Sequence, residues 1–267
     1  MDKPVRQRSW WDGRTDLTWV GTRPEVNGRW DDYDMVQTYA GKHKGCSAVI
    51  ILGGPSIAGF DPGDEYDIVI SCNGAIQVYA DVSDYWLCME NFAPEFDMPG
   101  FDLPIKGLKV VSFKIWNRFL DKKDILCVTR TRPPEGGVWN PLVYEWGLQN
   151  GPVMINRKKH LKVAQPVGTV ALQALHWAAF IGATRIKTIG MDLCFRDGVQ
   201  HGYPYPRTPV ENRFWYPSMF TKYRGMDTTW YWIDTAAYLL EVRDLLQHNG
   251  IVWEDMSNGL LQAMEAE

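Results

Sequence analysis

Apolar residues in this chain gather in short continuous runs rather than in strict alternation. Ala48-Val49-Ile50-Ile51-Leu52 is the first, Ile68-Val69-Ile70-Ser71-Cys72 after Asp67 the second, and Tyr85-Trp86-Leu87-Cys88-Met89 the third. Runs of about five aliphatic or aromatic residues bounded by turn residues predict strands buried on both faces, the habit of parallel sheets. Each run empties into small polar residues: Gly53-Gly54-Pro55-Ser56, Asn73-Gly74 and Glu90-Asn91. Further strands are predicted at 108–113 and 125–129, the second followed by a Pro/Gly-rich loop at 132–137.

Helical spacing takes over later. After Pro166-Val167-Gly168-Thr169, residues Val170, Ala171, Ala174, Leu175 and Ala178 share one face, and Gly182 marks the exit. A strand follows at 185–190, ending in Met191-Asp192. A loop of about residues 195–225, holding Pro204, Pro206, Pro209 and Pro217, is long enough to serve as a lid. A second helix is predicted behind the cap candidates Asp227-Thr228-Thr229, with Ile233, Ala236, Ala237 and Leu240 on one face and Asn249-Gly250 at its end. Ile251-Val252-Trp253-Glu254 is the last strand and runs into Ser257-Asn258-Gly259-Leu260-Leu261.

Strands alternating with helices predict an α/β fold: a Rossmann-like, doubly wound, mostly parallel sheet. Residues 1–45 lack periodicity and are expected to form an irregular N-terminal arm or cap. Residues 46–267 are expected to form the catalytic domain, with a lid-like loop near 195–227. Ligands of such sheets sit at the carboxyl ends of the strands, where the small polar motifs fall.

Composition narrows the class. The 267 residues are 45% hydrophobic and 22% charged, enough for a globular core. No apolar run approaches the ~20 residues of a membrane-spanning helix, so no membrane insertion is expected. The polar start, without an apolar signal core, makes a cytoplasmic setting the expectation. Cys46, Cys72, Cys88, Cys127 and Cys194 contain no CxxC pair, and the five histidines (His43, His160, His176, His201, His248) are dispersed, so neither a disulfide framework nor a metal site is expected. Net charge is −4, but residues 100–165 carry 12 basic against 5 acidic side chains. This basic middle, with Arg157-Lys158-Lys159 at its heart, is either a solvated face or a surface for a phosphate-rich partner. Thirteen Trp and twelve Tyr, including Trp230 and Trp232, add a hint of a ring-shaped ligand.

The turn Gly53-Gly54-Pro55-Ser56 brings backbone close to a ligand and offers amide and hydroxyl donors suited to phosphate. It is neither a Walker loop nor GxGxxG. Asn73 and Asn91 each follow a buried strand, where an amide reads a base, a ribose or a sugar, or else caps the next element. Gly168-Thr169 offers an anion site or a plain N-cap.

In order along residues 46–262, the motifs Ile51-Leu52-Gly53-Gly54-Pro55-Ser56-Ile57, Tyr66-Asp67-Ile68-Val69-Ile70-Ser71-Cys72-Asn73, Gly168-Thr169-Val170-Ala171 and Ile189-Gly190-Met191-Asp192-Leu193 resemble bacterial family 42 sialyltransferases. They also resemble the related domain of flagellin-modifying Maf glycosyltransferases and of archaeal MptE-type 6-hydroxymethylpterin pyrophosphokinases. The resemblance implies a Rossmann-like domain in which Gly54, Pro55, Ser56, Asn73, Asn91, Gly168 and Thr169 surround a CMP-sugar, while Tyr203 and Tyr205 hold the leaving phosphate.

One departure matters. The sialyltransferases carry a general-base histidine just before the last long helix, where this chain reads Tyr223-Arg224-Gly225-Met226-Asp227-Thr228. Asp227 and His201 are the substitute candidates, each able to accept a hydroxyl proton, with helix capping the alternative for Asp227. Asp192 either orients the nucleotide, holds Mg²⁺ through phosphates as a pyrophosphokinase would need, or caps a turn. Asp32-Tyr33-Asp34 lies in the arm and is not read as a metal site.

The sequence therefore points to an inverting, metal-independent glycosyltransferase using a nucleotide-sugar, without a cofactor. Its acceptor is left open among a glycan, a small alcohol and a nucleic acid. The alternatives are a Mg-ATP-dependent pyrophosphokinase and a nucleotide-binding module without turnover.

Overall fold

The computed structural model describes Tyr39 and residues 41–88, 103–112, 125–128, 170–202 and 220–266. Seven strands form one sheet: β1 (Ser47–Ile51), β2 (Ile68–Cys72), β3 (Tyr85–Cys88), β4 (Leu108–Ser112), β5 (Ile125–Val128), β6 (Arg185–Ile189) and β9 (Val252–Asp255). Their order is β5-β4-β3-β2-β1-β6-β9, and every pairing is parallel. The chain walks outward from β1 to β5, returns to the other side of β1 as β6, and ends on β9. The order thus reverses between β1 and β6, which is the switch point of a doubly wound, Rossmann-like sheet.

The continuous apolar runs are explained by burial on both faces. Ala48 and Ile50 of β1, Ile68 and Ile70 of β2, and Tyr85 and Leu87 of β3 pack with helices α2 (Val170–Ile181) and α3 (Trp230–His248). Val49, Ile51, Val69 and Ile189 face the other way, onto Ile57, Ala75 and Tyr79. Tyr79 closes the one-turn helix α1 (Ile76–Tyr79), and its hydroxyl donates to the carbonyls of Ile57 (2.9 Å) and Phe60 (3.0 Å).

Almost all of α2 is buried, as befits a helix apolar on every side. Its last carbonyls need partners. They find them in the end of the predicted arm: Gly41 donates to Phe180 O (2.8 Å), His43 to Ile181 O (2.6 Å) and Gly45 to Gly182 O (2.9 Å). Gly182 sits at φ +102°, and a Cβ there would lie 2.8 Å from the Lys44 backbone, so the close approach requires glycine. Residues 41–45 are thereby bound to the core.

The segment before α3 differs from expectation. Instead of loop and cap, it forms a hairpin of β7 (Phe220–Tyr223) and β8 (Met226–Thr229), with Lys222 opposite Asp227. Its two-residue turn, Arg224 (φ 47°) and Gly225 (φ 84°), has the doubly positive geometry that suits the twist of a hairpin. Asp227 is therefore a strand residue and not a helix cap; Thr229 takes that part, its Oγ1 accepting from the Trp232 amide at 3.1 Å. Two bonds tie the hairpin to the chain leaving β6: Phe195 N to Asp227 O (2.8 Å) and Thr228 Oγ1 to Leu193 O (2.7 Å). After β9 comes the short helix α4 (Leu260–Glu265). No helix among the described residues is long and apolar enough to cross a membrane.

Candidate functional site

A cleft of about 250 Å³ opens at the carboxyl ends of β1, β2 and β6. The exit of β1 supplies Gly53 and Gly54, the exit of β2 supplies Asn73, and the exit of β6 supplies Gly190, Met191 and Asp192. The first turns of two helices also open onto it, through Val170 and Ala171 of α2 and Tyr231 and Trp232 of α3. Gln200 and His201 line the remaining side.

Asp192 is the knot of the floor, 1% exposed. Its Oδ2 accepts from the Ser56 hydroxyl (2.7 Å) and the Ser56 amide (3.2 Å), and its Oδ1 pairs with Arg196 Nε. Arg196 also donates to the carbonyls of Ser257 and Asn258. A buried carboxylate is stable only when its oxygens are so engaged. The Ser56 Oγ in turn accepts from the Gly190 amide at 3.0 Å, and the Gly54 amide donates to Gly190 O at 2.7 Å.

This corrects the expected use of the turn. A Cβ on Gly54 would collide with the Asp192 carboxylate and lie 2.6 Å from Gly190 O, so its glycine serves the approach of two loops to each other rather than of backbone to ligand. The hydroxyl and amide of Ser56 are spent on Asp192, the Gly54 amide on Gly190, and Pro55 has no amide hydrogen. Among the donors expected of the turn, that leaves the Gly53 amide. Both Asp192 oxygens are engaged, one by Ser56 and one by Arg196, and among the described residues no group of three or more His, Cys, Asp or Glu could hold a metal.

A second knot supports the first. Asp255 Oδ1 accepts from Thr188 Oγ1 (2.9 Å) and Ser257 Oγ (2.8 Å), and its Oδ2 accepts from Gln262 Nε2 (2.8 Å). Ser257 Oγ then receives the Met191 amide at 2.8 Å. The chain end thus holds the exit of β6 in place, and Leu260 N closes the arrangement on Asp192 O at 2.9 Å.

His201 is clamped to the turn after β1. Gly202 N donates to Gly53 O at 3.0 Å, and a Cβ on Gly202 would lie 2.8 Å from Gly54 O and closer still to Ile57. Burial pushes the His201 imidazole down to about 4, opposed in part by a hydrogen bond to the Gly53 backbone. The ring is uncharged at neutral pH and able to accept a proton. Cys72 and Cys194 also line the cleft, and burial raises both thiols, most strongly Cys72, which disfavours the thiolate form.

Asn73 adopts φ 48°, a left-handed conformation that asparagine tolerates better than most residues. Its backbone carbonyl accepts from Trp86 Nε1 at 2.8 Å, which fixes the turn. Its Oδ1 is buried and has no hydrogen-bond partner among the described residues. A buried acceptor without a donor is costly, and a ligand hydroxyl or N–H would relieve it.

Of the residues singled out from sequence, Gly53, Gly54, Asn73, Asp192 and His201 meet at the cleft, with Ser56 directly behind. Asp227 is not among the lining residues; its half-exposed carboxylate is 3.5 Å from Lys222 Nζ. Asn91, Gly168, Thr169, Tyr203 and Tyr205 lie outside the described residues. The site also includes Gln200, Tyr231 and Trp232, which no motif marked. Only the abundance of aromatics near loops signalled the last two.

No family model and no curated protein matches the chain. Among solved structures it is similar to the Maf glycosyltransferase from Magnetospirillum magneticum AMB-1, at 16% identity and a TM-score of 0.46. The match covers 86% of this chain but 37% of that one, so the chain spans well under half the length of that protein.

Proposed function

We propose that this protein is a glycosyltransferase that takes a sugar from a nucleotide donor and passes it, with inversion and without a metal, to an acceptor hydroxyl. The observation that carries it is the convergence on one cleft, at the switch point of the sheet, of the Gly53 turn with the first turns of α2 and α3. Helix N-termini present partial positive charge, which favours phosphate groups. The buried Asn73 Oδ1 supports a ligand rich in O–H or N–H donors, as sugars and nucleosides are.

In this mechanism His201 is the general base. It accepts the proton of the acceptor hydroxyl as that oxygen bonds to the anomeric carbon; the bond from that carbon to the phosphate oxygen breaks, and the nucleotide departs with the electron pair. The Gly53 amide and the two helix ends offset the charge growing on the leaving phosphate. Tyr203 and Tyr205 are proposed to hold that phosphate, and Asn91, Gly168 and Thr169 to complete the nucleotide site, on the strength of the resemblance.

The test is thermal stabilisation by CMP, UDP, GDP, ADP and ATP, each with Mg²⁺ and with EDTA, because a ligand of the native state alone raises the melting point. Stabilisation in EDTA by a sugar-carrier nucleotide is expected and selects the donors for transfer assays. Stabilisation by ATP only with Mg²⁺ would overturn the proposal in favour of diphosphate transfer. Tight nucleotide binding without turnover on any acceptor would reduce the protein to a binding module.

A further inference from the structure

Trp232 ends a line of aromatic rings that runs from the hairpin to the cleft. Phe195 lies against its indole with ring centroids 4.8 Å apart and planes inclined by 43°, and Phe195 is itself stacked on Phe220 of β7 at 5.3 Å and 22°. The bond from the Trp232 amide to Thr229 Oγ1 fixes the backbone beneath it. Trp86 and Trp177 are fully enclosed in the core, at 0% and 2% exposure. Trp232 is braced from behind by a buried phenylalanine, yet it stays partly open and lines the cleft. Other parts of the lining, Gly53, Gly54 and Gly190, have no side chains to occupy the space.

Resting on the nucleotide reading above, we propose that Trp232 is the stacking platform for the base of the bound nucleotide, and so the residue that gives the donor site its affinity for a planar ring. An indole held rigid in advance loses little conformational freedom on binding. Every nucleobase has a π-face, so the indole supplies affinity while the polar lining, Asn73 included, supplies choice. Trp230, two positions away, does not share this role: it is 47% exposed and is not among the residues lining the cleft.

The experiment is calorimetric titration of the whole chain and of Trp232→Leu, Trp232→Phe and Trp230→Leu with CMP, UDP, GDP and ADP, and with ribose 5-phosphate as a probe lacking the base. Leucine keeps apolar bulk against Phe195 but removes the π-face, whereas phenylalanine keeps both. Trp232→Leu should weaken whichever nucleotide the wild type binds by about tenfold or more, the span of a lost base stack. Trp232→Phe should stay within about threefold, Trp230→Leu should be unchanged, and ribose 5-phosphate should bind all four alike. Should the leucine variant not fold, Trp232→Met replaces it in the same comparison. Equal nucleotide affinity in wild type and Trp232→Leu overturns this inference alone, and so does a parallel loss of ribose 5-phosphate, which would place the indole on the sugar. No binding of any nucleotide by the wild type overturns the nucleotide reading, and the inference with it.

Discussion

The hydroxyl of Ser56 donates to the buried carboxylate of Asp192 at 2.7 Å, joining residues 136 positions apart. One residue follows β1 and the other follows β6, the two parallel strands between which the strand order reverses. The bond holds the two exits together across the switch point, so the floor of the cleft is built before any ligand arrives. Binding then need not bear the cost of ordering those loops.

Removing Asp192 should therefore hurt the fold more than the removal of Ser56. Asp192→Ala strips an acceptor from the Ser56 hydroxyl, the Ser56 amide and the Arg196 guanidinium together. A loss of about 3 kcal/mol is expected, against about 1 for Ser56→Ala. Urea denaturation measures both. An Asp192→Ala protein as stable as the wild type would show that the knot is not needed.

Glycines 54, 202 and 59 separate collision from backbone strain. Gly54→Ala and Gly202→Ala force a Cβ against backbone carbonyls or the Asp192 carboxylate, and each should cost about 2 kcal/mol or more and weaken nucleotide binding. Gly59 sits at φ +75° with nothing within 4 Å, so Gly59→Ala should cost only the left-handed strain, about 1 kcal/mol, and leave binding intact. Melting curves with and without nucleotide distinguish the two classes.

Acid should destabilise the protein through its buried histidines. Burial holds His201 at about 4 in the native state, below the ordinary 6.5 of the unfolded chain, and it depresses His176 and His43 in the same direction. Between those limits the unfolded state binds more protons, so stability is fully present above about pH 6.5 and falls as pH drops towards 4. His201 contributes about 3 kcal/mol of that fall at most. Stability measured from pH 7 to 4 should decline less steeply in His201→Gln than in the wild type. Identical slopes would contradict the burial of this ring.

The two candidate bases make opposite predictions for transfer. His201 lines the cleft, whereas Asp227 pairs with Lys222 on the hairpin. His201→Ala should lower kcat by about tenfold to 10²-fold, at the low end for general base catalysis because an imidazole held near 4 is a weak base, while Asp227→Ala should leave it within about twofold. The wild-type rate should not fall until pH approaches 4, because the imidazole stays unprotonated down to that point. If Asp227→Ala abolishes transfer and His201→Ala does not, the assignment is reversed.

The strands of the sheet and both long helices could be read from the chain because their signals are local. Ala48 to Leu52 is apolar throughout, since a strand covered on both faces has no polar side to show. The hairpin at 220–229 escaped notice because Phe220, Tyr223 and Met226 are spaced too irregularly to reveal alternation, although Arg224-Gly225 is a turn pair. Asp227-Thr228-Thr229 then imitated a cap, and only the last of the three serves as one.

The sequence by itself determined that a parallel α/β sheet would form and that glycines and small polar residues would collect at its strand exits, because burial and turn chemistry act over a few residues. Tertiary structure alone decided what those residues do. Ser56 looks like a phosphate donor until Asp192 is found beside it, and Gly54 looks like an opening for ligand until Gly190 is seen to fill it. His201 and Trp232 carry no motif, and their roles depend on Gly53 and Phe195, distant in sequence or on another element. A hydrogen bond or a ring contact is set by proximity in space, and the fold, not the spacing along the chain, supplies it.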